Sequence, residues 1–350
     1  MKNKITIVQI AKLAGVNPST VSRALHAVKS SHISEELRQK IQKICEEHNY
    51  RPQIAAKGFA FRKSYRVGLL LGRLRGDLMS PHFSLFIQGI CDSLQKAGYT
   101  LSILWCEMDG KENIEKNVRN FLFSDVADAY IMGTTLLKKQ SVEMFRSTGR
   151  PIVALSNHPA YKIDNFHQVK LDFSKAMQTI WAQMPEKAMK NIVAFSLVNN
   201  NKFDLLRQYA PPEADIRFLN PGIQLDDTIG LRLLSEQTAE KYWDTLKQAK
   251  VIWCDSDLTA LGICDLCRKK GLIPGKDILV IGHDNFEQTC YKPPRKTCLS
   301  TIDPHWLKAG QTAGEFTLRC IDEKEPAGSC IAIDATFIKR KTFPYNNKKG

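Results

Sequence analysis

Few residues of this 350-residue chain are spaced for bond-making chemistry. Cys264-Asp265-Leu266-Cys267 places two thiols on one face of a helix, a spacing that suits zinc or redox work. No second pair stands at zinc-finger spacing, and the segment reads as a buried helix face. Gly68, Gly72 and Gly76 do not form a dinucleotide-binding G-x-G-x-x-G run. A phosphate loop, an H-E-x-x-H zinc helix and a G-x-S-x-G elbow are also missing. The sequence therefore calls for no catalytic residue, no metal and no cofactor.

Recognition chemistry is better represented. Ser19, Thr20, Ser22 and Arg23 sit close together behind Asn17-Pro18, and all carry hydrogen-bonding groups sized for a nucleic-acid groove. Arg23 is the expected base reader, because a guanidinium fork matches O6 and N7 of guanine. Ser19 and Thr20 suit phosphate or a thymine methyl.

Three short helices must position them. Ile7, Ile10, Ala11 and Ala14 fall on one helical face, Val21, Ala24 and Leu25 on a second, and Leu37, Ile41 and Ile44 on a third. Small Ala11 permits a close crossing, and Gly15 suits the turn between the first two helices. Asn17 can cap the second helix, with Pro18 at its first position. Ser34 caps the third, ahead of Glu35 and Glu36. Asn49-Tyr50-Arg51-Pro52 ends the pattern, since proline disfavours helix at the residue before it.

Charge follows the same division. Residues 1–66 hold thirteen Lys or Arg against four Glu, and the tail from Lys339 holds five more with no acid. The 272 residues between are balanced, within a net charge of +14. A confined basic segment is the footprint of polyanion binding, because each neutralised phosphate releases counterions. No apolar run approaches the roughly 20 residues of a membrane helix, and no secretory signal opens the chain, so a cytoplasmic protein with free thiols is expected.

Beyond Arg66 the texture alternates between strands and helices. Strands are expected at 67–71, 100–105, 129–132, 152–155, 192–195, 216–219, 251–254 and 278–281. Helices are expected near 83–97, 112–123, 138–148, 174–184, 238–248, 258–270 and 305–321. That rhythm predicts an α/β body of parallel sheets with helices on both faces, in two lobes, its ligands at strand carboxyl ends. The expected divisions are a headpiece over 1–52, a linker over 53–66, a body over 67–340 and a basic tail over 341–350.

Ile10-Ala11 through Gly15-Val16, then Thr20-Val21-Ser22-Arg23, then Asn49-Tyr50-Arg51-Pro52, closely resemble the LacI/GalR family of bacterial transcription regulators. The resemblance extends more loosely over nearly the whole chain. It implies an all-α helix-turn-helix headpiece and a two-lobed, periplasmic-binding-protein-like body. It also implies a homodimer, or a tetramer, on a pseudo-palindromic double-stranded DNA operator, with repression as the family habit. DNA contacts are expected at Thr6, Asn17, Pro18, Ser19, Thr20, Ser22, Arg23, Asn49, Tyr50, Ala56, Lys57 and Phe59. Phe59 stands where the family's hinge leucine wedges into the minor groove, with packing on the headpiece or body as the alternative. Gly58 weakens that hinge helix by roughly 1 kcal/mol relative to alanine.

In the body, resemblance continues at Ser80-Pro81-His82-Phe83, Asp257-Leu258-Thr259-Ala260-Leu261-Gly262 and Gly282-His283-Asp284. It implies effector contacts from His82, Phe83, Asp257 and Asp284, with a sugar or sugar-like ligand. Lys202 stands nearest to the family's effector-clamping arginine and lacks its planar fork. Asn199, Asn200 and Asn201 suit a sugar or an exposed turn equally. Effector identity thus stays open, and a regulator with a degenerate pocket and a plain small-molecule binder are the alternatives. The five tryptophans are expected mostly in cores or interfaces, and helices 82–97 and 305–321 at the subunit pairing.

Overall fold

The computed structural model describes residues 5–25, 33–50, 63–71, 81–105, 126–133, 147–156, 166–198, 202–223, 230–287 and 297–344. Ala56, Lys57, Gly58 and Phe59 lie outside them, as do Asn199 to Asn201, the expected 112–123 helix and nearly all of that at 138–148. The chain divides into two compact units, Met1–Tyr65 and Arg66–Gly350.

The first unit holds α1 (Ile7–Ala14), α2 (Pro18–Leu25) and α3 (Glu35–Glu47). Their apolar faces meet in a small core of Ile10, Ala11, Ala14, Val21, Ala24, Ile41 and Cys45. α1 starts on a reciprocal cap. The Thr6 hydroxyl accepts from the Gln9 amide at 3.4 Å, and Gln9 Oε1 accepts from the Thr6 amide at 2.8 Å. It stops at Gly15, whose φ of +72° is left-handed and favours glycine. Nζ of Lys40, on α3, donates to the Ala14 carbonyl at the helix end (3.1 Å). α3 starts on the Ser34 hydroxyl, which accepts from the Leu37 amide (3.3 Å), and Asn49 with φ +50° ends the helical run.

The second unit is built on two six-stranded sheets. In the first, β1 (Arg66–Leu71) lies between β2 (Thr100–Trp105) and β3 (Ala129–Met132). β4 (Ile152–Ser156), β5 (His167–Asp172) and β11 (Cys330–Asp334) follow, all parallel. In the second, β8 (Val251–Cys254) pairs with β6 (Ile192–Phe195) and β9 (Leu279–His283). β7 (Ile216–Leu219) flanks β6, β10 (Ser300–Asp303) flanks β9, and β12 (Thr336–Ile338) closes the far edge. That last pairing, β10 with β12, is antiparallel, at the edge of an otherwise parallel sheet, in keeping with the expected α/β body of parallel sheets.

Helices α4 (Pro81–Lys96) and α11 (Trp306–Ile321) pack on each other. A Cβ on Gly310 would lie 2.0 Å from the Phe86 carbonyl oxygen, and one on Gly89 would lie 2.2 Å from that of Leu307. The glycine faces of the two helices are thus turned on each other within one chain. Around the second sheet run α5 (Ser174–Gln183), α6 (Glu186–Met189), α7 (Lys202–Tyr209), α8 (Leu231–Lys241), α9 (Trp243–Leu246) and α10 (Asp257–Lys269). The helix expected at 238–248 is in fact two, α8 and α9. Cys264 and Cys267 lie on the buried face of α10, and burial pushes both thiols up, Cys267 to about 11.

Among the described residues the chain passes between the lobes three times, at 172–174, 303–306 and 334–336. Only Ala335 separates β11 from β12. The crossings are tied together. The Ala335 amide donates to the Asp172 carbonyl (2.7 Å), Lys175 pairs with Asp334, and His305 Nε2 shares a hydrogen bond with Thr336 Oγ1 (2.8 Å). The expected basic tail also begins late. Thr342 and Phe343 are buried, and the Thr342 hydroxyl accepts from the Ser300 amide (2.8 Å), so the body runs on past residue 340.

Candidate nucleic-acid interface and body cleft

On the headpiece, Val21 and Ala24 turn α2 onto the core, and the opposite side is left to Asn17, Pro18, Ser19 and Arg23, all exposed. Thr20 and Ser22 are half-buried at its margins. Arg23 lies back along its own helix. Nε donates to the Ser19 carbonyl at 3.3 Å and Nη2 to the Thr20 hydroxyl at 3.4 Å. Both bonds are long and solvent-facing, so a better acceptor can redirect the fork. Thr6 is exposed with its hydroxyl engaged by Gln9. Tyr50 is half-buried against the headpiece core, and that burial pushes its phenol up. The signal for this inward role is its place just after Asn49, whose left-handed backbone turns the chain back so that the Tyr50 amide donates to the Cys45 carbonyl (2.8 Å).

In the body, the carboxyl ends of β6, β8 and β9 converge on a polar cluster. Lys202 opens α7 and directs Nζ to Oδ2 of Asp284 (2.9 Å) and to the Asp255 carbonyl (2.9 Å). Oδ1 of Asp284 accepts from His283 Nδ1 (3.0 Å) and Trp306 Nε1 (3.3 Å). Asp255 Oδ2 accepts from the Ser196 hydroxyl (2.7 Å). Aromatic rings border the cluster: His82 lies 5.0 Å from Trp306 and 4.9 Å from Phe83, and Phe173 lies 5.2 Å from His283.

Asp284 and Asn285 adopt φ of +98° and +53°. Left-handed side-chain-bearing residues persist where the surroundings over-determine them, a pattern common at ligand clamps. Here the Asp284 amide donates to the Ile302 carbonyl (2.8 Å), and Asn285 Nδ2 donates to Asp303 (2.8 Å).

The electrostatics follow from burial and pairing. Burial opposes charge on Asp284, yet Lys202 and then His283 hold its carboxyl well below the usual range. Burial pushes His82 down to about 4. His283 also lies low, through burial and then Lys202. Burial raises Asp255.

The structure thus brings together three of the expected effector residues: His82, Lys202 and Asp284. Phe83 is buried beneath His82 and faces Gly133 of its own lobe. Asp257 faces into its own lobe. Its Oδ1 accepts from the Thr301 hydroxyl (2.5 Å) and its Oδ2 from the Phe286 amide (2.5 Å), so both oxygens are satisfied inside the lobe. The aspartate at the cleft is Asp255, two residues earlier and directly after β8. Its position at a strand's carboxyl end was the available signal. Trp306, expected in a core or interface, joins the cluster through its indole N–H.

Residues 6–53 match the family described as bacterial regulatory proteins, lacI family, and residues 221–343 match a periplasmic binding protein-like domain. Catabolite control protein A of Staphylococcus aureus is 26% identical over 290 residues, covering 80% of this chain and 82% of the relative. The ribose operon repressor of Haemophilus influenzae is 24% identical over 354 residues, covering 97% and 98%. Among solved structures, the Lac repressor dimer bound to operator and an anti-inducer superposes with a TM-score of 0.73 at 20% identity, covering 97% of this chain and 99% of that one. A CelR–cellobiose complex gives 0.61 at 15%, with the same coverage. Both show the same fold. The chain thus carries a segment, residues 6–53, that matches the lacI family of bacterial regulatory proteins, and a second, residues 221–343, that matches a periplasmic binding protein-like domain.

Proposed function

We propose that the chain is a sequence-specific transcription repressor of the cytoplasm. As a homodimer it binds a pseudo-palindromic operator, and the cleft of its body takes a small sugar-like effector. The observation that carries this reading is the exposed face of α2, with Asn17, Ser19 and Arg23 outward on a three-helix core. In a helix-turn-helix the N-terminal part of the second helix meets base edges. Relatives that match over nearly the whole chain are named as repressors, which supports regulation over catalysis. An effector would act by favouring one arrangement of the lobes over another, and so the operator-competent state.

Selection of bound fragments from a random duplex library, with purified full-length protein at physiological salt, tests the reading. A recovered palindrome supports a dimer on an operator. Salt-sensitive binding with no motif overturns sequence specificity.

A second reading has its own observation. The Lys202 ammonium already satisfies Asp284, so the chain's own side chain fills the role of a ligand group. On that reading the body represses without an effector, and no small molecule changes operator affinity.

A further inference from the structure

Asn285 follows Asp284, is 3% exposed and holds a left-handed φ of +53°. Its side chain is gripped from two sides. Oδ1 accepts from Nη2 of Arg340 (2.7 Å), and Nδ2 donates to Oδ2 of Asp303 (2.8 Å). A guanidinium only donates and a carboxylate only accepts, so the carboxamide has one orientation here, and an aspartate could supply only half of it. Arg340 is anchored in turn on the Leu299 carbonyl (2.8 Å).

From Asp303 the bonds run on into the seam between the lobes. Asp303 ends β10 at one crossing, and its Oδ1 accepts from the His305 amide (2.8 Å). His305 Nε2 then shares a hydrogen bond with Thr336 Oγ1 at a second crossing (2.8 Å). Thr336 adjoins Ala335, whose amide donates to the Asp172 carbonyl at the third (2.7 Å). His305, like Asn285, is held left-handed, at φ +59°. Two such residues on either side of Asp303 mark backbone that its surroundings over-determine. Trp306 gives a second and longer tie, 3.3 Å from Nε1 to Oδ1 of Asp284, which a change at Asn285 leaves in place.

We propose that Asn285 is a positioning residue whose carboxamide registers the turn bearing Asp284 against the three crossings, so that a displacement of Asp284 reaches the seam. This linkage goes beyond the regulatory reading above, and neither DNA nor a ligand is needed to observe it.

Hydrogen–deuterium exchange of the full-length protein tests it. Asn285→Asp keeps the shape, the acceptor for Arg340 and the tolerance of left-handed backbone, and sets a second carboxylate against Asp303. The amides of His305 and Ala335 should then exchange about tenfold faster, while those of Val251–Cys254 in the middle of the same sheet stay within about twofold. Asn285→Asp combined with Asp303→Asn exchanges the two partners and should restore wild-type rates at both crossings. Equal acceleration in Val251–Cys254, an unchanged Ala335 amide, or no restoration by the double variant each overturns the proposal. If Asn285→Asp does not accumulate as folded protein, Thr336→Val cuts the same chain of bonds at an exposed side chain. Ala335 should again exchange about threefold faster or more, and a wild-type rate there overturns the proposal too.

Discussion

Nζ of Lys202 sits 2.9 Å from Oδ2 of Asp284 and 2.9 Å from the carbonyl oxygen of Asp255, so one ammonium fastens the start of α7 to the ends of β8 and β9. Lys202→Met keeps the aliphatic stem and strands a carboxylate that is 7% exposed. Breaking a buried pair from one side costs about 3 kcal/mol, so the urea midpoint at pH 7 should fall accordingly. In the wild type the folded carboxyl titrates below its unfolded value. Its contribution is therefore complete above the ordinary carboxylate range and is lost as pH falls through the lower, folded value. In the variant burial acts unopposed by the ammonium, and moving from pH 7 to pH 5 should narrow the deficit. A variant as stable as wild type at pH 7 would remove the pair from the account of the fold.

Asp257 behaves oppositely. Burial raises its carboxyl from 3.8 to about 8 despite the bond from Thr301. The folded state then binds more protons than the unfolded one between about pH 4 and 8, and stability falls as pH rises across that window. Asp257→Asn cannot titrate. Its stability relative to wild type should improve steadily from pH 5 to pH 8, read from denaturant midpoints at each pH. A difference that does not change with pH contradicts the assignment.

Gly15 holds φ +72° with nothing within 4 Å of an added Cβ, so Gly15→Ala tests backbone strain without a clash. The headpiece transition in calorimetry of the full chain should lose about 1 kcal/mol, and Gly15→Asn should lose less, since asparagine tolerates the left-handed region.

Arg23→Ala removes the fork proposed to read a base. Affinity for the selected operator should fall by about 1–3 kcal/mol, with a smaller loss on random DNA and relaxed preference at one position of each half-site. Equal losses on both DNAs would make Arg23 a phosphate contact.

At Gly310 a Cβ would stand 2.0 Å from a backbone oxygen of α4, and no rotamer relieves that. Gly310→Ala should separate α4 from α11 and cost about 3 kcal/mol, seen as a lower unfolding temperature.

The central strands were legible because Val67-Gly68-Leu69-Leu70-Leu71 and its counterparts are continuous apolar runs, as strands covered on both faces must be. His167-Gln168-Val169-Lys170-Leu171-Asp172 and Cys330-Ile331-Ala332-Ile333-Asp334 escaped because they are half-exposed and carry polar residues. Ser300 and Thr301 of β10 are wholly buried polar residues, and their partners, Thr342 and Asp257, are distant in sequence. In the headpiece, Pro18, Gly15 and the apolar spacing were sufficient, since local rules decide short helices. At the cleft, Lys202 and Asp284 were readable one at a time, whereas their pairing is a tertiary fact. Asp255 carries no signal in the resemblance, which points to Asp257 in the same Asp-Ser-Asp run.

The one-residue passage at Ala335, laced to the other two crossings through Asp172, Lys175–Asp334 and His305–Thr336, has a mechanical meaning. Two lobes joined by a single slack linker could drift, tilt and twist independently. Joined along one short seam of three crossings bonded to one another, they are hindered from such drift and are left to turn mainly about that seam. Torque between the lobes is then taken up chiefly as rotation about that line.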